Sequence, residues 1–437
     1  MIYFLHQESK ERQILGVGTV AANVPVEQLA FGPFNLDRST SRLFRNGVEV
    51  DLRLQAFHAL TVLLQNSSRP VDYEQMIREA WDGVCVSRHT VAVTVGEVKK
   101  ALREYGAWIS CRPGLGYSLD VPTGDDLIRK GVHFMSHRTR EGLERAVRCF
   151  QQVARDDSAD FRAFEGLSRS YLILGTCGMR PPREMYPAFL EAHRQAVALA
   201  GLTPELRSDR GYALHMFERR ETEAEAELLQ AQREQPGLAT IYVRLTMVYA
   251  ALGRLDEALV ALDGAYSADA LFPVLPATEI SIRFLRREYE HAVDSGKRAL
   301  ELHPYVQLGR AFYAQALEYS GRVDEALAQY RHACVICPDL PWLRALEATC
   351  LANSGRRGEA LTILAELDAM RGADYVDAYY MALLREAIGD REGALGELIR
   401  AFAENSTALP ILNVDPKMDS LRTDPRFRGL WKLPATA

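Results

Sequence analysis

Six alanines set 34 residues apart constrain this 437-residue chain more tightly than any other feature: Ala224, Ala258, Ala292, Ala326, Ala360 and Ala394 keep phase without a slip. Four residues beyond each rung the series reads Leu228, Leu262, Gly296, Tyr330, Leu364 and Leu398. Seven beyond, it reads Ala231, Ala265, Ala299, Ala333, Leu367 and Ala401, and five before, Gly253, Gly321, Gly355 and Gly389 recur. A fixed period of this length marks stacked supersecondary units, each unable to bury its apolar face alone. The glycine ends one helix, because it takes positive φ without steric cost. The alanine sits early in the next helix, where two helices approach too closely for a larger side chain. Positions four and seven further on share its face and fill the seam between units.

The run Tyr242, Leu245, Tyr249, Gly253, Ala258, Leu262, Ala265 and the run Gly321, Ala326, Tyr330, Ala333, Pro338 resemble the tetratricopeptide repeat (TPR). The resemblance implies a regular array over residues 205–407, after irregular TPR-like helices over 127–204. In that earlier stretch Ala163, Phe164, Leu167, Tyr171 and Gly175 match a first TPR helix, and Thr176–Pro187 inserts extra residues expected to form a surface connection. The tail, 408–437, carries Asp415-Pro416, Met418-Asp419, Leu421-Arg422 and Asp424-Pro425, and resembles the segment that closes many TPR arrays in bacterial regulators. Its expected role is to cap the last hydrophobic face. First helices of such arrays line a concave groove. Family spacing projects Thr240, Val243, Met247, Phe284, Gln315, Trp342 and Tyr379 toward it, as a site for a protein, a peptide or a small ligand.

Upstream the pattern changes. Leu29–Asp37, Arg42–Asn46 and Val48–Leu52 read as strands with a tight turn at Asn46-Gly47. Leu54, Phe57, Leu60 and Leu64 then form a helical stripe. A second helix opens at Asp72, with Gln75 in capping-box spacing, and carries Met76, Ile77 and Trp81 inward. A third opens at Ser87 and buries Val91, Val95, Val98 and Leu102. Ile109–Arg112 and Tyr117–Val121 flank Pro113-Gly114-Leu115-Gly116 as a last hairpin.

That order, with FGPFNLD at 31–37, Arg45-Asn46-Gly47, Glu79-Ala80-Trp81, Thr90-Val91, Lys99-Lys100-Ala101-Leu102 and Gly114-x-Gly116-Tyr117, resembles the winged helix-turn-helix output domain of OmpR/PhoB-type transcription regulators. It covers residues 29–122. The chain is therefore expected to be mainly α: a small α+β winged helix-turn-helix domain followed by an α-solenoid of TPR helical hairpins. The resemblance implies that the third helix enters the major groove of promoter DNA, and that Asp82–Val86 touches RNA polymerase. The candidate DNA-binding residues are His89, Thr90, Val93, Thr94, Lys99, Lys100, Arg103 and Arg112. Small residues, Ala92, Val93 and Gly96, hold the centre of the outward stripe and basic ones its ends. Val93 suits a thymine methyl, and the lysines and arginines suit phosphates, contacts that position without reading sequence. Glu97 departs from the family pattern and needs a basic partner, Arg103 or Lys100.

Charge leaves two readings open. Residues 29–122 hold 11 Lys+Arg against 10 Asp+Glu, close to neutral, where a nucleic-acid binder is commonly strongly basic. One reading is a transcription regulator whose TPR array receives a signal; the other is a TPR scaffold whose winged helix docks protein. An enzyme is not expected, since no zinc-protease, phosphate-loop, esterase or kinase signature occurs. Residues 1–28 form an N-terminal extension in which Gly16-Val17-Gly18-Thr19-Val20-Ala21 matches the letters of a dinucleotide fingerprint. The strand and helix that chemistry needs do not flank it, so no cofactor is expected. Cys334-x-x-Cys337, with Cys350 nearby, reads as buried packing rather than a metal or redox site, and His215, His291 and His303 read as surface or core histidines. Pro122–Asp126 reads as a linker, followed by an amphipathic helix, Leu127–Arg138, where membrane-bound relatives carry a spanning segment. With charged Glu8, Lys10, Glu11 and Arg12 near its start and no disulfide density, the chain is expected in reducing cytoplasm, off the membrane.

Overall fold

The computed structural model describes residues 28–302 and 307–430, so the fingerprint-like stretch 16–21 and His303 lie outside the described residues. The chain divides into two units between Pro122 and Thr123.

In the first unit β1 (Gln28–Phe31), β2 (Phe34–Asp37), β3 (Arg42–Arg45) and β4 (Val48–Val50) form an antiparallel sheet in chain order. The single strand expected at 29–37 is two. Gly32 takes φ of +52° and Pro33 follows, so the chain reverses there. A β-carbon on Gly32 would lie 2.4 Å from the Trp108 ring, so the turn is closed to other residues. Three helices follow, α1 (Leu54–Gln65), α2 (Tyr73–Ala80) and α3 (Arg88–Leu102), then the hairpin β5 (Ile109–Arg112) and β6 (Gly116–Leu119). Asp72 caps α2 through Gln75 N at 2.7 Å, and Ser87 caps α3 through Thr90 N at 3.1 Å. Phe57 and Leu60 of α1 and Val91, Val95, Val98 and Leu102 of α3 are buried as their spacing requires. Leu54 is not: it is 59% exposed. At about 100° per residue it falls roughly 120° from the face centred on Leu60, and joins no stripe.

The second unit is built of helical hairpins, with Thr123 opening it. Thr123 and Asp126 cap one another, so α4 begins at Gly124, inside the stretch expected as linker. The hairpins pair α4 (Gly124–Ser136) with α5 (Arg140–Asp156), α6 (Phe161–Thr176) with α7 (Pro182–Ala200), and α8 (Pro204–Ala213) with α9 (Glu221–Glu234). They continue as α10 (Ala239–Ala251) with α11 (Leu255–Ala268), α12 (Leu275–Leu285) with α13 (Tyr289–Leu302), and α14 (Gln307–Tyr319) with α15 (Val323–Ile336). The last are α16 (Pro341–Asn353) with α17 (Arg357–Met370) and α18 (Ala378–Ala387) with α19 (Arg391–Glu404), and α20 (Pro425–Leu430) packs on α19. All six alanine rungs are 0% exposed. At Gly296 a β-carbon would lie 2.1 Å from the Tyr313 ring, so the glycine in that series lets the tyrosine fill the seam.

The position five before each rung is left-handed in every unit: φ is +73°, +85°, +85° and +83° at Gly253, Gly321, Gly355 and Gly389, but also +54° at Arg219 and +64° at Arg287. A non-glycine there costs about 1–2 kcal/mol. These two arginines are the ones that reach the C-terminal part of the chain. Arg219 donates to Asn405 Oδ1 at 3.2 Å and stacks over Phe402, and Arg287 forks onto Asp419 at 2.7 and 2.9 Å.

The array closes on itself. Arg140 of α5 holds Asp374 at 2.8 Å and the Asp339 carbonyl at 2.8 Å, both near the far end. A π-turn at Leu214–Glu218 ends α8, and the Phe217 carbonyl accepts from Asn405 Nδ2 at 2.6 Å. His215 in that turn is 1% exposed, and burial holds its imidazole down to about 4 from the ordinary 6.5. A histidine with a depressed folded pKa contributes stability that is complete above pH 6.5 and is lost as the pH falls toward 4. The stability difference between wild type and His215→Leu is accordingly expected to change by about 3 kcal/mol between pH 7 and pH 4, against the wild type. Urea titrations of both proteins at several pH values measure it, and parallel pH profiles would contradict it.

Candidate nucleic-acid interface and partner groove

On α3 the residues His89, Thr90, Ala92, Val93, Gly96 and Lys100 are exposed, as is Arg103 just past its end, and they recur every three or four positions along one side. Lys99 is half-buried and Arg112, on the wing, is exposed beside Asp120 at 3.6 Å. Thr94 does not share this face. It is 3% exposed and spends its hydroxyl on the Thr90 carbonyl at 3.0 Å, because it lies on the buried side between Val91 and Val98. A β-carbon at Gly96 would meet nothing within 4 Å, so no internal packing requires the glycine.

Glu97 is paired, though by neither expected residue. Arg53, the residue before α1, reaches across to it, with Nε at 3.0 Å from Oε2. The hydrogen bond to Glu97, reinforced by its charge, raises the Arg53 pKa. The pair removes the one acidic obstacle on the exposed side of α3 and fixes a second guanidinium beside it. Arg88, not singled out by the stripe, stands exposed at the first residue of α3, its guanidinium 5.3 Å from the Tyr73 ring. Arg103 ends the helix at φ of +55°, a strained conformation for arginine that aims the chain toward β5. In the connection from α2 to α3, Asp82–Cys85 are exposed, with Val84 at 63%.

The groove residues divide. Thr240 and Met247 are partly exposed, while Val243 packs with Leu262 and Leu275 in the seam between repeats rather than in the groove. Phe284, Gln315, Trp342 and Tyr379 are buried, and the chain's own residues 405–423 cover Phe284, Gln315 and Tyr379. Lys417 donates to Gln315 Oε1 at 2.9 Å and sits 4.7 Å from the Phe284 ring centroid. The Tyr379 hydroxyl donates to Asp415 at 2.6 Å. Asp377, which caps α18, accepts from Ser406 and from Thr407 Oγ1 at 3.0 Å, and burial raises its pKa. Leu409, Leu412, Met418 and Leu421 are fully buried here. The segment therefore does more than cover the last repeat: it fills the concave side. Trp342 stacks on Tyr380 at 5.1 Å and meets Gly178 of the 176–187 insertion, whose Met179 is buried in the same core. The insertion is thus only partly a surface connection: Gly178, Met179 and Pro182 pack inward, while Arg183, Glu184 and Pro187 stay exposed on the first turns of α7.

Burial pushes the Cys334 and Cys337 thiols up to about 12, far from thiolate formation at neutral pH. No group of three or more metal-ligating side chains occurs among the described residues, and no described helix is long and apolar enough to cross a membrane.

Residues 47–119 match the family model described as transcriptional regulatory protein, C terminal. No curated protein matches the chain. Among solved structures, the human IFIT1 dimer with m7Gppp-AAAA is similar at 15% identity and a TM-score of 0.50, over 80% of this chain and 90% of that one. A thermophilic TPR protein of Thermus thermophilus is similar at 21% identity and a TM-score of 0.39, over 45% of this chain and 99% of that one. A tetratricopeptide repeat protein from Parabacteroides merdae is similar at 14% identity and a TM-score of 0.37, over 67% and 98%. The first unit thus carries, over residues 47–119, a match to the model of the OmpR/PhoB-type winged helix, and the second has the fold of a TPR-like helical array.

Proposed function

We propose that this protein is a cytoplasmic transcription regulator whose winged helix binds promoter DNA and whose array receives the controlling signal. The observation that carries this reading is the outer side of α3, with Ala92, Val93 and Gly96 small at its centre and Arg88, Lys100 and Arg103 around them, in a unit whose family model is that of regulators. A slim centre lets a helix backbone approach base edges, and the flanking cations hold phosphates. The exposed connection 82–85 is the proposed surface for RNA polymerase. No catalytic role is assigned to either unit.

Because residues 405–423 fill the concave side, a protein, peptide or small ligand that controls the array acts outside the groove or at the array's closure. A protein-docking winged helix is the second reading, favoured by the near balance of charge in residues 29–122 and by exposed Val84 and Leu115.

Salt dependence separates the two. Full-length protein titrated against DNA from its own upstream region should bind with an affinity that falls steeply with salt. Lys100→Ala with Arg103→Ala should lower the slope of log K against log salt by about 2, since each phosphate contact contributes roughly 0.9. Absence of binding at low salt, or an unchanged slope in the double variant, would reject DNA contact by α3.

A further inference from the structure

A cavity of about 330 Å³ opens where the two ends of the array meet, outside the plugged groove. Three stretches distant in sequence form its wall: the start of α7, the connection 371–377 between α17 and α18, and the end of α19. That connection is long for the array; the one between α9 and α10 spans only 235–238. Its volume is in the range of pockets that take small molecules rather than water alone.

The polar groups of the wall are incompletely used. Arg371 gives both terminal nitrogens to Glu397 at 2.6 Å, which leaves its Nε–H buried without an acceptor. Arg400 is paired with Glu404 through one carboxylate oxygen, and the other, Oε2, is buried without a donor. The Tyr375 hydroxyl forms no hydrogen bond of good geometry, its neighbour Asp377 being committed to Ser406 and Thr407. Arg183, exposed at the second residue of α7, makes no ion pair among the described residues. The unmet set is therefore two donors and a cation on one side and a carboxylate oxygen on the other. Buried polar atoms without partners are costly to leave unmet, so a molecule that supplies the missing acceptor and donor is favoured there.

We propose that this cavity binds a small zwitterion bearing a carboxylate and an ammonium group, of the α-amino-acid type. The carboxylate meets Arg183, the Arg371 Nε–H and the Tyr375 hydroxyl, and the ammonium meets Glu404. Such a ligand bridges α7 to α17–α19 and holds the array closed. This site stands whether or not the winged helix binds DNA.

Full-length protein is mixed in turn with each common amino acid at millimolar concentration, and melting is followed by a fluorescent dye with affinities taken by calorimetry. At least one amino acid should raise the melting temperature by a few degrees. Its N-acetyl and methyl-ester forms should bind about tenfold or more weakly, each having lost one charged partner. A short peptide retaining only one free terminus serves as a further arm: binding equal to the free amino acid would identify a chain terminus as the source and contradict a zwitterion. Arg183→Ala, which disturbs no ion pair among the described residues, should abolish the shift while leaving the unliganded melting point in place, and Glu404→Gln should weaken amine recognition. No shift with any amino acid overturns the proposal. So does an equal shift from acetate or inorganic phosphate alone, or a shift that survives in Arg183→Ala.

Discussion

A chain ending after Glu404 should lose the closed array as a whole rather than fray at one end. Leu409, Leu412, Met418 and Leu421 are fully buried, and they lie against helices spread along the array, not only against α19. Burying such side chains contributes roughly 1.5–3 kcal/mol each, so the four together contribute on the order of 6–12 kcal/mol. That is comparable to the entire stability of an ordinary domain, about 5–15 kcal/mol. Removal also strips Phe284 and Tyr379 of their cover and leaves Arg287 in its left-handed conformation without Asp419. Circular dichroism melting and limited proteolysis should show a broad, early transition and cleavage between α10 and α18. A truncated protein that melts within a few degrees of the parent would show that the segment is an accessory. Leu412→Ala gives the graded version, with an expected loss of about 2–5 kcal/mol.

Replacing Gly96 with leucine should strengthen the fold and destroy DNA binding at the same time. In the free protein the new side chain meets open space, and leucine is about 0.8 kcal/mol better than glycine inside a helix. On DNA the same side chain would hold the α3 backbone away from base edges. A loss of about 10- to 100-fold is expected, equivalent to forfeiting one good base contact. The opposite signs make the result informative, because damage to the fold cannot mimic a stabilised protein that no longer binds. Paired urea unfolding and DNA titration measure both. Unchanged binding would mean that this side of α3 does not face the duplex.

Periodicity made the array legible, and local chemistry made the winged unit legible. The alanine rungs follow from helix approach alone, and all are buried. The caps at Asp72 and Ser87 were visible as side-chain spacing and recur as hydrogen bonds. What stayed hidden depends on contacts far apart in the chain. Glu97 turned to Arg53, 44 residues away, because the start of α1 lies against α3, a proximity no local pattern encodes. Thr94 was drawn into the DNA set by its neighbours' sequence, while helical phase turns it inward. The filling of the groove had one trace in the sequence: arginine at 219 and 287 where the phase calls for glycine. Those exceptions mark the two turns that reach the C-terminal segment.

Closure also fixes how many repeats this protein can have. An open solenoid gains or loses a unit at modest cost, because each repeat touches only its neighbours. Here Arg140 must meet Asp374, and Asn405 must meet the Phe217 carbonyl, after one set number of hairpins. Duplicating or deleting a 34-residue unit would carry those partners out of reach and misalign the segment that fills the interior. The array is free to vary in its outer side chains but not in its length, and its lineage should change by substitution where open relatives change by repeat count.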